Sequence, residues 1–334
     1  MKKILGLLLC LCMIFAMTAV SVNAEDVDLT KGDKVTLVFA TDLIDSNPGQ
    51  LALNDICDEI AEKTAGRITI EMYGNSQLGS TTEQLEQCNN GIIDMHYATS
   101  MSTYVPAYGA LQLPYMFMGY DHADAVFNGE IGEQFKQMIA DNTNMYGIQF
   151  GVLGYRNLTS NKLIQTPDDI KGMKIRVREI NADIAAFAAL GAVPTPMAFS
   201  ELYTALQQGT VDGHDNTVTV ILNNNLDSVQ NYVYLSEHTL DSGIIVINKD
   251  SFDKLSETDQ EFILAEFGTM FDRCVEKVTA SEEGVIQQLI DRGNVEVIRD
   301  FDKQAFADIM RTIYVDYEDM YGKDLLDSIV NCEY

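Results

Sequence analysis

The sequence predicts an α/β protein of two lobes with a ligand cleft between them. In the N-terminal part, apolar runs and amphipathic helices alternate in the order β-α-β-α-β, which is typical of a parallel sheet covered on both faces. Two further apolar runs, 145–153 and 240–248, are predicted strands. We expect the chain to cross to the second lobe after the first of these runs and to return along the other, which makes a hinge.

The predicted strands of the first lobe are residues 35–41, 68–72 and 92–98, because each run is short and apolar or alternates apolar with polar residues. Two helices separate them. We expect the first helix to end at Gly66 and the second at Gly91.

The central part of the sequence reads as strand, helix, extended link, helix and turn. Asn181 and Ser200 are candidate N-caps of the two helices. Pro194 and Pro196 exclude a helical conformation in the segment between these two helices. The unit places Arg176 at the end of a strand, which is where an open α/β sheet usually binds its ligand.

A long helix is predicted after Ser256, a candidate N-cap. Apolar residues keep a helical period as far as Leu289, and no proline appears before Gly293. A continuous helix of this length would span about 45 Å at 1.5 Å per residue, which is more than one lobe needs. We therefore expect it to run along both lobes. A shorter helix is predicted over residues 306–321.

The stretch 111–118, LQLPYMFM, is apolar and aromatic and is broken by Pro114. It has two interpretations. It could form a wall of a ligand site, or it could pack beneath a connecting segment, and we favour the second.

Residues 1–24 have the pattern of a cleaved signal peptide, in which Lys2 and Lys3 precede an apolar run and a site suited to signal peptidase. An uncleaved anchor is the alternative, but the run is short for a membrane span. Lipidation at Cys10 or Cys12 is less favoured, because neither follows the small residue that this processing requires. We expect an exported protein, periplasmic or otherwise extracytoplasmic, with no membrane insertion after cleavage.

The protein is acidic, with 50 Asp and Glu against 22 Lys and Arg and a net charge of −28. Loss of the two signal-peptide lysines would bring the charge to −30. This charge excludes nucleic acid and anionic membranes as partners. The 334 residues suit one large or two medium-sized globular domains. We assign 25–153 plus 242–281 to the first lobe and 154–241 plus 282–334 to the second.

Four cysteines remain outside the signal peptide: Cys57, Cys88, Cys274 and Cys332. In an exported protein they could form two disulfides, Cys57–Cys88 and Cys274–Cys332, or they could remain four separate thiols. Their spacing does not indicate a metal site, since no histidine lies near them at ligand spacing.

The sequence contains no P-loop, GxGxxG, GxSxG or HExxH motif, so we expect no cofactor, no metal and no enzyme activity. Its histidines are dispersed, at His96, His122, His214 and His238. A Ser/His/Asp set could still assemble in the folded chain, but no feature of the sequence favours one.

Three separated segments of the sequence are distinctive in combination: QLGSTTEQLEQCNNGIID, SNKLIQTPDDIKGMKIRV and LGAVPTPMAFSELYTALQQGTVDG, the last followed by Asn216. Together they resemble the solute receptors of tripartite ATP-independent periplasmic (TRAP) transporters. The resemblance covers about residues 33–328. It implies a two-lobed fold like that of periplasmic binding proteins, with a long helix bridging the lobes.

The resemblance also implies roles for two arginines. The position of Arg176 matches the arginine that pairs with the ligand carboxylate, and that of Arg156 matches one that supports it or contacts the ligand. A guanidinium suits a carboxylate because two parallel charge-assisted bonds fix its orientation. Arg178 departs from the proline of many relatives, and we expect it on the opposite strand face and solvated.

Further site residues follow from the resemblance. Asn216 and Phe199 match ligand-contacting positions, although Phe199 could instead belong to the core. On the first lobe, Asp42 and Thr81 match loop positions that touch the ligand in some relatives, and Thr99 is a weaker candidate. In VDGHDN, residues 214 and 215 replace the usual Gln and Glu, so their roles stay open.

The expected function is therefore that of an extracytoplasmic TRAP receptor, which binds a small organic acid and delivers it to membrane permease subunits. An acidic Asp42 would accept hydrogen bonds from ligand hydroxyls, which favours a sugar acid such as a uronate over a C4-dicarboxylate. One alternative is a sensory protein that presents the ligand to a receptor kinase. A secreted hydrolase is a less favoured alternative.

Overall fold

The structure is a computed structural model and describes residues 28–334. The predicted signal peptide, with Cys10 and Cys12, lies outside the described residues. Within them, no helix is both long and apolar enough to cross a membrane.

Nine strands are described, and all of them belong to one sheet. They are β1 (Val35–Ala40), β2 (Ile68–Tyr73), β3 (Met95–Ala98), β4 (Met145–Ser160), β5 (Lys174–Val177), β6 (Val193–Pro196), β7 (Gly213–Asn216), β8 (Tyr232–Asn248) and β9 (Glu296–Ile298).

The described residues also form thirteen α-helices. They are α1 (Pro48–Lys63), α2 (Thr81–Asn89), α3 (Tyr120–Phe127), α4 (Glu130–Asn142), α5 (Asn181–Ala189), α6 (Phe199–Gln207), α7 (Val218–Asn223), α8 (Lys249–Phe252), α9 (Glu257–Gly268), α10 (Met270–Arg292), α11 (Lys303–Met310), α12 (Tyr314–Tyr321) and α13 (Lys323–Val330).

The sheet confirms the predicted α/β class. Its strand order is β2-β1-β3-β8-β4-β7-β5-β6, and β9 pairs with β8. Strands β1, β2 and β3 are parallel, as the β-α-β-α-β order predicts, and so are β5, β6 and β7. The two central strands, β4 and β8, are antiparallel to each other.

Strands β4 and β8 connect the two lobes. One end of β8 pairs with β3, and the C-terminal end of β4 pairs with β7. Between these ends the β4–β8 ladder is irregular at Val152/Gly154 and again at Arg156/Leu158. These irregularities lie where the sequence predicts that the chain crosses from one lobe to the other. The assignment of 25–153 plus 242–281 and of 154–241 plus 282–334 to separate lobes stays a proposal.

The long helix bridges both lobes but is not continuous, which corrects the prediction. Helix α9 ends at Gly268 and α10 begins at Met270. At the interruption, the Gln149 amide from β4 donates to the carbonyl of Gly268, and the Thr269 hydroxyl donates to that of Glu266. Helix α10 alone spans about 35 Å.

Two apolar clusters flank α10. Its first half contributes Met270, Phe271 and Cys274 to the main core, which also contains the first-lobe strands. Its second half contributes Val285 and Leu289 to a separate core with α6 and α7. One helix therefore supports both lobes.

Several predicted boundaries are wrong by a few residues. Asn181 is the first residue of α5, so it is not its N-cap, and α6 begins at Phe199, before Ser200. The link through the two prolines is an edge strand, β6. The predicted helix 306–321 is divided by a 3-10 turn at Arg311–Ile313.

The favoured interpretation of residues 111–118 agrees with their burial, since most of their side chains lie in the main core. Helices α12 and α13 pack against this region. The Tyr314 hydroxyl donates to the carbonyl of Pro114 at 2.7 Å, and His122 Nε2 lies 2.8 Å from the carbonyl of Ile329.

All four described cysteines are free thiols. The two disulfides considered from the sequence are therefore absent from residues 28–334, and the alternative of separate thiols holds. Cys57, Cys88 and Cys274 are buried, while Cys332 is half-buried.

Candidate ligand-binding site

Arg176 lies near the C-terminal end of β5, between β6 and β7. Its side chain is only 3% exposed. Its Nε and Nη2 both donate to the carbonyl oxygen of Met197, at 3.1 and 2.8 Å. Met197 follows β6 and precedes α6, so the backbone between these elements holds the guanidinium in place.

Within residues 28–334, no carboxylate lies within ion-pair distance of Arg176. Burial and the neighbouring charge of Arg156 lower the pKa of Arg176 to about 10. A buried cation without a counter-ion is costly, because low-polarity surroundings disfavour the charge. The site is therefore suited to an anion that arrives from outside the chain.

Arg156, by contrast, is already neutralised. It lies on β4 at the crossing and is 2% exposed. Its Nε donates to Asp215 at 2.5 Å, and its Nη1 donates to Asp241 at 2.7 Å. Burial alone would lower the pKa of Arg156, but these two carboxylates raise it above its usual range. The guanidinium is thereby fixed beside Asn216, whose side-chain oxygen lies 3.4 Å from Nη1.

The expectation for Arg178 is wrong. Positions 176 and 178 have the same parity along the strand, so the two side chains start from the same face. Arg178 is not solvated: it forms a two-pronged ion pair with Asp183 and a third contact with Asp241, at 3.1 Å. Asp241 therefore divides its two oxygens between Arg156 and Arg178.

The other predicted residues of the second lobe differ in exposure. Asn216 is buried at the end of β7, where its side-chain oxygen accepts from the amide of Thr217 at 3.0 Å. Its amide nitrogen donates to no acceptor among the described residues. Phe199, the first residue of α6, is 43% exposed, which excludes the core interpretation.

The predicted residues of the first lobe lie at the ends of three neighbouring elements. Asp42 follows β1, Thr81 begins α2 and Thr99 follows β3. The hydroxyls of Thr81 and Thr99 are 3.4 Å apart. One oxygen of Asp42 is buried without a hydrogen-bond donor in the described chain. Burial, together with the charge of Asp241, raises the pKa of Asp42 to about 6.

Two buried histidines were not predicted as site residues. His214 pairs across the ladder with Arg176, and neither of its ring nitrogens has a partner among the described residues. Burial lowers its pKa to about 4, so its ring is neutral near pH 7. His96 in β3 uses one nitrogen on the carbonyl of Ala40, and burial also lowers its pKa to about 4.

A Ser/His/Asp chain does assemble in the fold. Ser236 Oγ lies 2.9 Å from His238 Nδ1, and His238 Nε2 lies 3.2 Å from Asp215. All three side chains are buried, Ser236 accepts from the amide of Leu158, and Asp215 is paired with Arg156. The Ser236 hydroxyl is thus hydrogen-bonded and buried. The contacts among Ser236, His238 and Asp215 therefore stabilise the irregular part of β8 and do not favour a hydrolase.

A surface hydrogen bond joins the segments that follow β1 and β7. Asn223 at the end of α7 donates to the hydroxyl of Ser46, in the loop after β1, at 2.7 Å. Both residues are on the surface. The contact lies on the side where β1 and β7 end. Across residues 28–334, no group of three or more His, Cys, Asp or Glu side chains is arranged to hold a metal ion.

Comparison with known proteins identifies the family. Residues 39–320 match the model of bacterial extracellular solute-binding protein, family 7. The chain belongs to this family of TRAP solute receptors. A solute-binding protein of Roseobacter denitrificans is 37% identical over 221 residues, which cover 66% of this chain and 68% of that protein. The 2,3-diketo-L-gulonate-binding periplasmic protein of Escherichia coli is 28% identical and is matched over 87% of this chain and 88% of its own.

Solved structures of TRAP receptors have the same fold. A receptor from Chromohalobacter salexigens with bound D-glucuronate has a TM-score of 0.84 at 28% identity, covering 89% of this chain and all of that one. A receptor from Polaromonas bound to D-erythronate has the same TM-score at 26% identity, with 90% and 100% covered. The two-lobed fold with its bridging helix is therefore that of the TRAP receptors.

Proposed function

We propose that this receptor captures a hydroxylated monocarboxylate, a sugar acid such as a uronate, and delivers it to TRAP permease subunits in the membrane. Relatives of this family bind small acids, among them D-glucuronate and D-erythronate. The observation that carries the proposal is Arg176, a buried guanidinium whose only acceptor in the described chain is the carbonyl of Met197. The ligand carboxylate would pair with the side of the Arg176 guanidinium that does not face this carbonyl.

The charge balance around the cleft supports one carboxylate in the ligand. Arg156 and Arg178 are compensated by three aspartates, so only Arg176 is left without a direct ion pair. A second ligand carboxylate would face Asp42 from the first lobe. Two carboxylates in a buried site repel each other unless one of them takes up a proton.

The remaining predicted residues have separate roles in this proposal. Arg156 supports Asn216 and does not itself pair with the ligand, because both of its carboxylate partners are in place. Asn216 donates its amide to the ligand. Phe199 covers an apolar side of the sugar ring when the cleft closes. Asp42, Thr81 and Thr99 accept or donate hydrogen bonds to ligand hydroxyls.

A panel of acids tests the ligand class. The thermal shift of the mature protein would be measured with D-glucuronate, D-galacturonate, D-erythronate, succinate and malate at equal concentration. We expect the sugar acids to give the larger shifts. If succinate or malate stabilises the protein most, a dicarboxylate receptor replaces the proposal.

Delivery to the permease needs its own test. Proteoliposomes with the cognate membrane subunits should take up labelled sugar acid only when the receptor is added, and the Arg176→Ala receptor should not support uptake. A sensory role is indicated instead if wild-type receptor binds the acid but supports no uptake.

A further inference from the structure

Eight arginines lie in the described part of the chain, and six of them have a carboxylate within ion-pair distance. In a protein with 50 acidic residues, an arginine without such a partner is unusual. The two exceptions among residues 28–334 are Arg176, at the proposed ligand site, and Arg311. Arg311 lies in the 3-10 turn between α11 and α12, outside the cleft residues described above.

The guanidinium of Arg311 is held by the backbone, as that of Arg176 is. Its Nη2 donates to the carbonyl of Tyr115 at 2.6 Å and lies 3.3 Å from the Sδ of Met118. Its Nε is buried and donates to no acceptor in the described chain. Buried N–H groups of native proteins nearly always have a partner, so an orphaned guanidinium donor indicates an unassigned acceptor.

Arg311 borders a groove of about 460 Å³ between the 111–118 segment and helices α12 and α13. Its walls are Met116, Met118, Arg311, Tyr314, Glu318, Leu326, Asp327 and Val330. This volume is within the range of small-molecule sites. Four of the eight lining residues are apolar, three are charged and one is a tyrosine. Two of the apolar residues in the groove are well exposed to solvent, Met118 at 64% and Val330 at 48%.

Neither acidic residue of the groove lies within ion-pair distance of Arg311 in the described chain. Glu318 and Asp327 both pair with Lys323, at 3.0 and 3.5 Å. Arg311 thus has no ion-pair partner at one end of the groove, and Met116, Met118, Leu326 and Val330 form the apolar part of the lining beside Glu318 and Asp327. This arrangement matches a molecule with a carboxylate at one end and an apolar body.

We propose that this groove is a second binding site, for an amphiphilic monocarboxylate whose carboxylate pairs with Arg311. Its apolar chain would lie along Met116, Met118, Leu326 and Val330. Methionine walls adapt to chains of different length because the side chain is flexible and polarisable. A volume of about 460 Å³ suits one small molecule.

Octanoate is a suitable probe, with octylammonium as a control of the same length and opposite charge. Binding would be followed by calorimetry and by the methyl NMR signals of Met116 and Met118. We expect octanoate, but not octylammonium, to shift both signals. Arg311→Gln should weaken octanoate binding at least tenfold, whereas Arg176→Ala should leave it unchanged.

A second variant keeps the test decisive if Arg311→Gln folds poorly. Val330→Asp adds a negative charge to an exposed wall of the groove and should also weaken octanoate binding. Val315→Asp makes the same change at a 65% exposed position of α12 outside the groove, and should have no effect. Arg311→Gln, Val330→Asp and Val315→Asp should bind D-glucuronate as tightly as wild type does, which distinguishes the groove from the proposed site at Arg176.

Three outcomes would overturn the proposal. They are no binding of octanoate at millimolar concentration, equal binding by Arg311→Gln or Val330→Asp, and loss of octanoate binding in Arg176→Ala. The last result would place the fatty acid in the cleft.

Discussion

Arg176 directs two of its nitrogens at a single backbone oxygen, that of Met197, at distances of 3.1 and 2.8 Å. This relationship fixes the direction of the guanidinium without neutralising it, because a carbonyl carries no net charge. The side chain is thus oriented before a ligand arrives, and less conformational entropy is lost on binding.

Arg176→Ala should weaken the binding of the preferred sugar acid by roughly thirty-fold to several thousand-fold. The basis is a cost of about 2–5 kcal/mol for leaving a buried carboxylate without its partner. Arg176→Lys should also weaken binding, since lysine keeps the charge but loses the planar fork. Calorimetric titration measures both.

The matched control is Arg299→Ala, which removes an arginine from a surface pair with Glu283. Such pairs contribute under about 1 kcal/mol, so affinity should change by less than about threefold. An unchanged affinity in Arg176→Ala would show that the carboxylate binds elsewhere.

Asp241→Asn should destabilise the folded protein by about 3–5 kcal/mol, because Arg156 and Arg178 would each lose a buried counter-charge. Urea denaturation measures the change in the free energy of unfolding. Glu283→Gln is the control for loss of an exposed pair and should cost under about 1 kcal/mol. Equal effects of the two variants would mean that the buried network contributes no more than a surface pair.

Asp42→Asn should change how stability depends on pH. The pKa of Asp42 is raised from 3.8 to about 6, so the native state holds this proton more tightly than the unfolded chain. The Asp42 carboxyl therefore contributes its full stabilisation of the folded state below pH 4, and this stabilisation is lost as the pH rises through about 6. The Tm of the variant, relative to wild type, should increase between pH 4 and 7 and then level off.

Asn223→Ala removes the hydrogen bond to Ser46 between the segments after β7 and β1. We expect this bond to form only when the lobes close over ligand, so the variant should bind ligand about two- to tenfold more weakly. The estimate uses about 0.5–1.5 kcal/mol for one hydrogen bond. Small-angle scattering should show that sugar acid compacts the wild-type protein and compacts the variant less at equal ligand concentration. Asn142→Ala, at the exposed end of α4, should behave as wild type. Identical profiles with and without ligand would contradict closure altogether.

Thiol titration of the protein without its predicted signal peptide should find all four thiols reactive only after unfolding. Burial raises the pKa of Cys57 and Cys274 to about 12 and that of Cys88 further still, so their thiolates are scarce at neutral pH. In the native protein the half-buried Cys332 should react first, and a reductant should leave the Tm unchanged. A Tm that falls on reduction would reveal a disulfide.

The sequence was informative where the signal is local. Arg176 could be placed at a strand end because the apolar run before it and the helix after it are adjacent in the chain. The role of Asp241 could not be predicted, because it meets Arg156 from 85 residues away and carries no motif. The same holds for Met197, which contributes a backbone carbonyl that any residue would supply.

Two errors have physical reasons. The face of Arg178 was misjudged because the alternation of strand side chains puts positions 176 and 178 on the same side. The long helix was expected to be continuous because its apolar period continues through residue 269. The interruption lies at Gly268, whose carbonyl accepts from the Gln149 side chain of β4, 119 residues away in sequence.

The β4–β8 ladder also constrains how this chain can fold. Met145 pairs with Asn248 and Ser160 with Tyr232, so each central strand finds its main partner about 70 to 100 residues away. Strand β3 depends on β8 as well. As the chain emerges with its N-terminus first, these strands have unpaired edges until β8 follows, and such edges favour aggregation. A truncation that ends before β8 should therefore leave no half that folds by itself, and refolding should be slow because closing such large loops costs entropy before any pairing is gained.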